Sequence, residues 1–377
     1  MNNPKPTKSE PFNFTISQLL AVNGPACLII KAQFEPLGDQ DRFQPAGFPE
    51  MGHVIYDAPR ANENGNPLPA DKVCIVDSAA SMANHLETLC FSNPTTGILH
   101  PDLAGLAYVR CVTDPNNRLV ITTLSEGHRL ASDLFLDGQL NGQNFRQALR
   151  ADFGIVEIKK DKTYFVTPDN WWTIYRTIFR YDPNSLVHGI LFAKEQIKIS
   201  RLLTAHLEAF GAARVGSAGV KFDRLDKTKS GQPIFSKDEE TARCIEATFM
   251  VDLGLLRSYG HSTNGLNDAQ KRLLLELALW KVQRMLNAPF RFRSGCHLRC
   301  VNSSYFNEDG KTEINPTAFG LNIVAAIRDP NCGFTGNPIT DVYYPANELF
   351  NPESGTPAPA AAETPDEAGN NDEPLET

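Results

Sequence analysis

Between Leu286 and Phe290 the periodicity of the chain changes. From Asp268 to Leu286 the apolar residues Leu273, Leu274, Leu277, Leu279 and Val282 recur at helical spacing, and Pro289 lies just beyond. From Phe290 to Cys300 the period is two: Phe290, Phe292, Cys296, Leu298 and Cys300 fall on one side, and Arg291, Arg293, His297 and Arg299 on the other. Such switches recur. Residues 26–35 alternate as a half-buried strand, and Lys72–Val76 reads as another. Asp77 or Ser78 caps a helix running to about Cys90. Further strands are expected near 106–113, 119–124, 152–158, 163–167, 187–193, 243–253 and 319–328, and a helix from Lys198 to Phe210 ended by Gly211. The expected class is α+β, with insertions.

Two stretches interrupt this pattern. Residues 37–72 carry many glycines and prolines with little periodicity. Residues 211–235 set Gly211, Gly216, Gly219 and Gly231 among Arg214, Lys221, Arg224, Lys227 and Lys229. Excursions of this length in a compact body generally serve a function. Residues 1–11 and 352–377 are too poor in apolar side chains to order themselves, which leaves one body over 12–351.

The formal charge of −8 argues against a polyanion binder only until it is mapped. Seven of the eight excess negative charges lie in the acidic tail 352–377, and residues 1–351 carry −1. Bases gather locally: seven against one acid over 271–299, eight against four over 194–229, and five against two over 159–181. Local charge decides whether a polyanion docks. If 290–300 is one strand, its arginines stand about 6–7 Å apart, close to the spacing of phosphates on an extended nucleic-acid strand. Each planar guanidinium suits bidentate contact with a phosphate. A solvated face whose arginines pair with nearby acids fits the alternation equally well.

Other chemistry finds less support. Cys296, His297, Cys300 and Cys332 suggest zinc, but on a strand Cys296 and Cys300 are about 13 Å apart, too far to share one ion. There is no Gly-x-Ser-x-Gly elbow, phosphate-binding loop, His-Glu-x-x-His helix or dinucleotide fingerprint. His128 and Arg129 are read as hydrogen-bonding or anion-contacting groups. Asn84, His85 and Glu87 form a polar stretch that either binds a ligand or is satisfied within the fold. No cofactor and no metal is expected. The first residues lack a secretory apolar core, no apolar run approaches a membrane span, and the eight cysteines read as reduced thiols. A cytoplasmic, soluble protein without membrane contact is expected.

Several strings together resemble one family. They are Arg42-Phe-Gln-Pro-Ala-Gly-Phe-Pro49, Val76-Asp-Ser-Ala-Ala-Ser-Met-Ala-Asn-His-Leu-Glu87, Glu126-Gly-His-Arg129 and Asp182-Pro-Asn-Ser-Leu-Val-His-Gly-Ile-Leu-Phe192. Gly216-Ser-Ala-Gly-Val-Lys-Phe-Asp223 and Phe290-Arg-Phe-Arg-Ser-Gly-Cys296 follow. From about residue 25 to 330 the chain resembles the backbone subunit of the type I-G (formerly I-U) CRISPR Cascade complex, a "Cas seven" class branch of the RAMP superfamily.

The resemblance implies an RRM-like (ferredoxin-like) palm with inserted helical fingers and a thumb hairpin. It implies several copies assembled along one crRNA beside other Cascade subunits, presenting the guide for pairing with target DNA, without catalysis. Protein contacts then go to phosphate and shape, and sequence is read by base pairing. The candidate guide-contacting residues are Arg291, Arg293, Lys221, His128, Arg129, Asn84, His85 and Arg214. His85 stands where the family more usually has arginine, and Ser-Gly-Cys-His follows the arginine pair where the family has Thr-Ala-Cys-Asp. The alternative is a RAMP-type endoribonuclease that processes precursor crRNA, with His128 or His85 as its base.

Overall fold

The computed structural model describes residues 11–48, 51–62, 64–114, 116–158, 163–215, 239–261, 263–334 and 336–346. The elements that place the candidate residues are, in chain order, β1 (Cys27–Pro36), β2 (Ile55–Ala61), β3 (Pro67–Asp77) and α1 (Ala79–Thr88), then α2 (Pro183–His188), β4 (Leu203–Phe210) and β5 (Cys244–Asp252). The long helix α3 (Asp268–Leu286) and the hairpin strands β6 (Phe290–Arg293) and β7 (Cys296–Phe306) follow.

The seven strands pair antiparallel in the order β6-β7-β1-β5-β4-β3-β2, and Glu313–Ile314 adds a short strand beside β7. Leu28, Ile30, Ala32 and Phe34 of β1 are buried while Lys31 and Gln33 are exposed, the alternation expected over 26–35. Leu203, Ala205, Leu207 and Ala209 of β4 and Ile245, Ala247, Phe249 and Val251 of β5 share that inner face. Opposite it, Lys31, Thr248 and His206 form one row across the sheet, and Gln33, Glu246 and Glu208 the next. This outer face is partly to fully exposed.

Helices α1 and α3 close the inner face. Asn267 caps α3 in a reciprocal box with Gln270, which fixes its start as the sequence pattern predicts. Every residue from Leu273 to Val282 is buried, because α3 is covered by helices as well as by the sheet. Glu276 is held there by Arg272 Nε at 2.7 Å and by the Asn322 amide at 2.7 Å. A second sheet centres on Tyr108–Thr113, antiparallel to Arg118–Thr122 and parallel to Ile339–Tyr343. Among the described residues no helix is long and apolar enough to cross a membrane.

Several expectations change. The stretch 152–158 opens as the end of a helix, Phe145–Phe153, and only Val156–Ile158 is a strand. The segment 198–210 is not a helix: Ile197–Ile199 and β4 are strands, and β4 buries every second residue. The segment 319–328 is helical, with Asn322 capping Ile323–Arg328 through the Ala325 amide. The stretch 187–193 is divided between the end of α2 and a strand at Ile190–Phe192. Finally, 290–300 is not one strand, because it reverses at Ser294–Gly295 into the β6–β7 hairpin. Much of the excursion 37–72 is also ordered, since β2 and β3 form the far edge of the sheet.

Candidate nucleic-acid interface

Strand β3 ends at Asp77, and the next residue caps α1: the Ser78 side chain accepts from the Ser81 amide. This tight joint brings the α1 residue His85 back over Asp77. His85 Nε2 lies 2.9 Å from Asp77 Oδ2 and 3.3 Å from Ser81 Oγ. Its ring meets Phe290 and Phe292 edge-on, each at a centroid distance of 5.4 Å. Arg293 arrives from β6 and sets Nη2 2.9 Å from the same Asp77 oxygen. Its Nη1 donates to the carbonyls of Val76 at 2.9 Å and Gln44 at 3.3 Å. Burial alone would lift the Asp77 carboxyl. The His85 hydrogen bond and the Arg293 charge outweigh it and hold the carboxyl below its ordinary value.

The hairpin turn decides the fate of the expected arginine row. Gly295 has φ +77, and a Cβ there would approach Gln44 Cβ to 3.2 Å, so the turn needs glycine. Arg291 faces His297 across the hairpin, and both are exposed. Arg291 Nη2 donates to Ser294 Oγ at 2.9 Å, and no carboxylate pairs with it among the described residues. A register shift between Arg291 and Arg293 turns the second arginine inward to Asp77. Arg299, on β7, pairs with Glu35. The evenly spaced row of guanidiniums is therefore not built; Arg291 stands open, and its two companions are ion-paired.

Arg129 belongs to the interior. Its Nε and Nη2 clasp Glu87 at 2.6 and 2.9 Å, and its Nη1 donates to the carbonyls of Gly127 and Gly189, each at 3.3 Å. Its backbone is left-handed, φ +54, a strained state for a residue with a side chain. The sequence assignment of Arg129 to the guide is revised accordingly, because the guanidinium is buried and fully engaged. His128 beside it is 80% exposed and lies 3.2 Å from Glu126 Oε1.

Sequence reasoning missed the rest of this network. Glu87 Oε1 also accepts from Asn184 Nδ2 at 2.6 Å, and Asn184 Oδ1 accepts from Lys281 Nζ. Lys281 in turn meets His188 Nε2 at 3.0 Å. Burial, reinforced by Lys281 and Arg129, drives the His188 pKa well down, so the ring is neutral and accepts. Burial lifts the neighbouring Asp182 carboxyl to about 6. Lys281, one of the seven bases over 271–299, is therefore inside the protein. The string Asp182–Phe192 held the signal, since its polar residues Asp182, Asn184, Ser185 and His188 all point into the core.

Arg214 sits in a small sheet with Arg42–Phe43 and Glu239–Thr241. Its Nε lies 3.1 Å from Glu240 Oε1, which His53 Nδ1 approaches to 3.3 Å. Lys221 lies outside the described residues, as does the excursion from 216 to 235. Asn84 is exposed on α1, next to His85. The structure thus brings His85 and Arg293 together on Asp77, where α1 meets the β6–β7 hairpin. Arg291 alternates with Phe290 and Phe292 and stands with His297 on the opposite side of the hairpin, and Asn84 is exposed on α1. It keeps Arg129 within the core and Arg214 at the root of the basic excursion.

Residues 28–214 match the model of a family described as CRISPR-associated protein GSU0053, which shows a CRISPR-associated protein. No curated protein matches the chain. The matched span contains α1 and the whole Glu87–Arg129–Asn184 cluster, and ends before the β6–β7 hairpin.

Proposed function

We propose that the chain is a crRNA-binding, oligomerising backbone subunit of a type I Cascade complex, non-catalytic, that presents its guide for pairing with target DNA. Within this reading the antiparallel sheet and its helices serve as an RRM-like palm, and the 37–72 and 211–235 excursions are the candidates for contacts to the next copy or for the thumb. One observation carries it: in a CRISPR-associated chain, Arg291 stands exposed without an acidic partner among the described residues, directly across the β6–β7 hairpin from the exposed His297. An open guanidinium engages phosphate, and short polar side chains around it fix the path of the backbone.

The outer sheet face supports the same placement by contrast. Its rows Lys31–Thr248–His206 and Gln33–Glu246–Glu208 include two glutamates, and Tyr56 beside them spends its hydroxyl on Glu208. Glutamates repel phosphate, so the strand is assigned to the Arg291 side of the β6–β7 hairpin rather than across the middle of the sheet.

The test is co-purification with a guide. Bound RNA of uniform length together with several copies of the chain supports the proposal; a chain that carries no RNA when guide and partner subunits are present overturns it. The endoribonuclease reading draws on the two histidine–carboxylate contacts, His85–Asp77 and His128–Glu126. Specific cutting of repeat RNA that is abolished by His85→Ala or His128→Ala would establish it instead.

A further inference from the structure

Beside the Ser294–Gly295 turn, where β1 gives way to residues 37–42, there is a cleft of about 230 Å³ lined by Pro36, Leu37, Gln40, Arg42, Gly295 and His297. No carboxylate lines it. Arg42 reaches Glu239 at 3.1 Å, yet its side chain is 55% exposed. Arg291 stands directly across the hairpin from His297 and donates to Ser294, the neighbour of Gly295, so an open guanidinium lies beside the cleft. An adjoining cleft of about 150 Å³ shares Pro36 and Gln40 but carries Glu35, which is paired with Arg299, together with Asp41 and Arg243. The cleft beside the hairpin is thus lined by a base and no acid, whereas acids and a base mix beyond Pro36.

We infer that the cleft seats a single nucleotide of a bound single strand, a contact resting on the RNA-binding reading above. Pro36, Leu37 and the His297 ring offer flat, largely apolar surface to a base, and every nucleobase has a face that stacks. The Gln40 amide both donates and accepts, so it hydrogen-bonds to a base edge. The attached phosphate takes the Arg291 side, where an open guanidinium stands and no carboxylate lines the cleft. The site is thereby polar in the literal sense: it fixes which end of the nucleotide lies at the hairpin. Its recognition is tolerant of base identity, since stacking dominates and one amide reads the edge.

The experiment is photo-cross-linking of the intact chain to single-stranded RNA carrying 4-thiouridine, followed by tryptic digestion and mass spectrometry. Cross-links are expected on the peptides 32–42 and 294–299. Two variants accompany the wild type. Gln40→Glu puts a carboxylate in the cleft without changing its shape, and His297→Ala removes the stacking ring; both positions are exposed. Each is expected to weaken RNA binding about tenfold and to abolish the cross-links, with an unchanged melting temperature. Wild-type RNA binding with cross-links confined to other peptides, or with affinity untouched in both variants, overturns the cleft and leaves the RNA-binding reading standing. Failure of the wild-type chain to bind RNA at all overturns both.

Discussion

Arg293 and His85 meet on one atom: each places a nitrogen 2.9 Å from Asp77 Oδ2. The contact ties the β6–β7 hairpin to α1 through a buried carboxylate, and it separates two arginines that sit two residues apart in the sequence. Arg293 is structural, whereas Arg291 is open to a ligand.

Their alanine variants should therefore part company. Arg291→Ala is expected to leave stability within about 0.5 kcal/mol of wild type. It should reduce the slope of log affinity against log salt on single-stranded RNA by about 0.7, the signature of one lost phosphate contact. Arg293→Ala leaves Asp77 short of a buried partner and should cost about 1–3 kcal/mol in chemical denaturation. Equal salt slopes for Arg291→Ala and wild type would remove Arg291 from the interface.

At the core of the molecule, Arg129→Ala strands the Glu87 carboxylate in the interior. A loss of about 3–5 kcal/mol is expected in urea unfolding, against less than about 0.5 kcal/mol for the adjacent His128→Ala. Lysine at 129 restores the charge but not the two parallel hydrogen bonds, and should rescue only part of the loss. If Arg129→Ala unfolded at the wild-type urea concentration, the buried clasp would have no energetic role.

Two aspartates give stability opposite pH dependences. Folding lifts Asp182 to about 6, so the folded state binds that proton more tightly than the unfolded chain, where aspartate titrates near about 4. Its contribution is complete below about pH 4 and is lost as pH rises through about 6. Folding lowers Asp77, whose contribution is present above about pH 4 and is lost as pH falls through the depressed folded value. In Asp182→Asn the decline between about pH 4 and 6 should shrink. Urea midpoints measured across that range check it, and an undiminished decline in the variant would assign the effect elsewhere.

The outer sheet face provides a control. Lys31→Ala and His206→Ala remove two cationic or titratable groups from the row Lys31–Thr248–His206 and are expected to leave RNA affinity unchanged. Fluorescence anisotropy on a guide-length RNA measures this. A loss comparable to that of Arg291→Ala would move the strand onto the sheet.

Much of the scaffold was legible in the residues. The start of α3 follows from an asparagine–glutamine capping pair and its interior from leucines at helical spacing. The face of β1 follows from strict alternation. The segment 198–210 misleads because leucines at 202, 203 and 207 satisfy a helical period as well as a strand one, and only pairing with β3 and β5 decides between them. The arginine row misleads for a subtler reason. A serine–glycine turn interrupts the alternation without breaking it, and a register shift then reverses the direction of Arg293. Bulges carry no local signal of their own. Nor did composition reveal that Lys281 and Arg129 are interior, since burial of a cation depends on partners contributed from distant segments.

Arg129 has a consequence for how freely the chain can diverge. The position makes two demands at once, a left-handed backbone and a forked cation, and no single replacement meets both. Glycine relaxes the backbone but abandons Glu87; lysine keeps the charge but neither the fork nor the ease of the turn. Glu87 is itself bound by Asn184 as well as Arg129, so exchanging the pair for two neutral residues would also orphan an amide. Substitution at this node must proceed through several coordinated changes, which makes it a natural barrier to drift beneath a far more permissive surface.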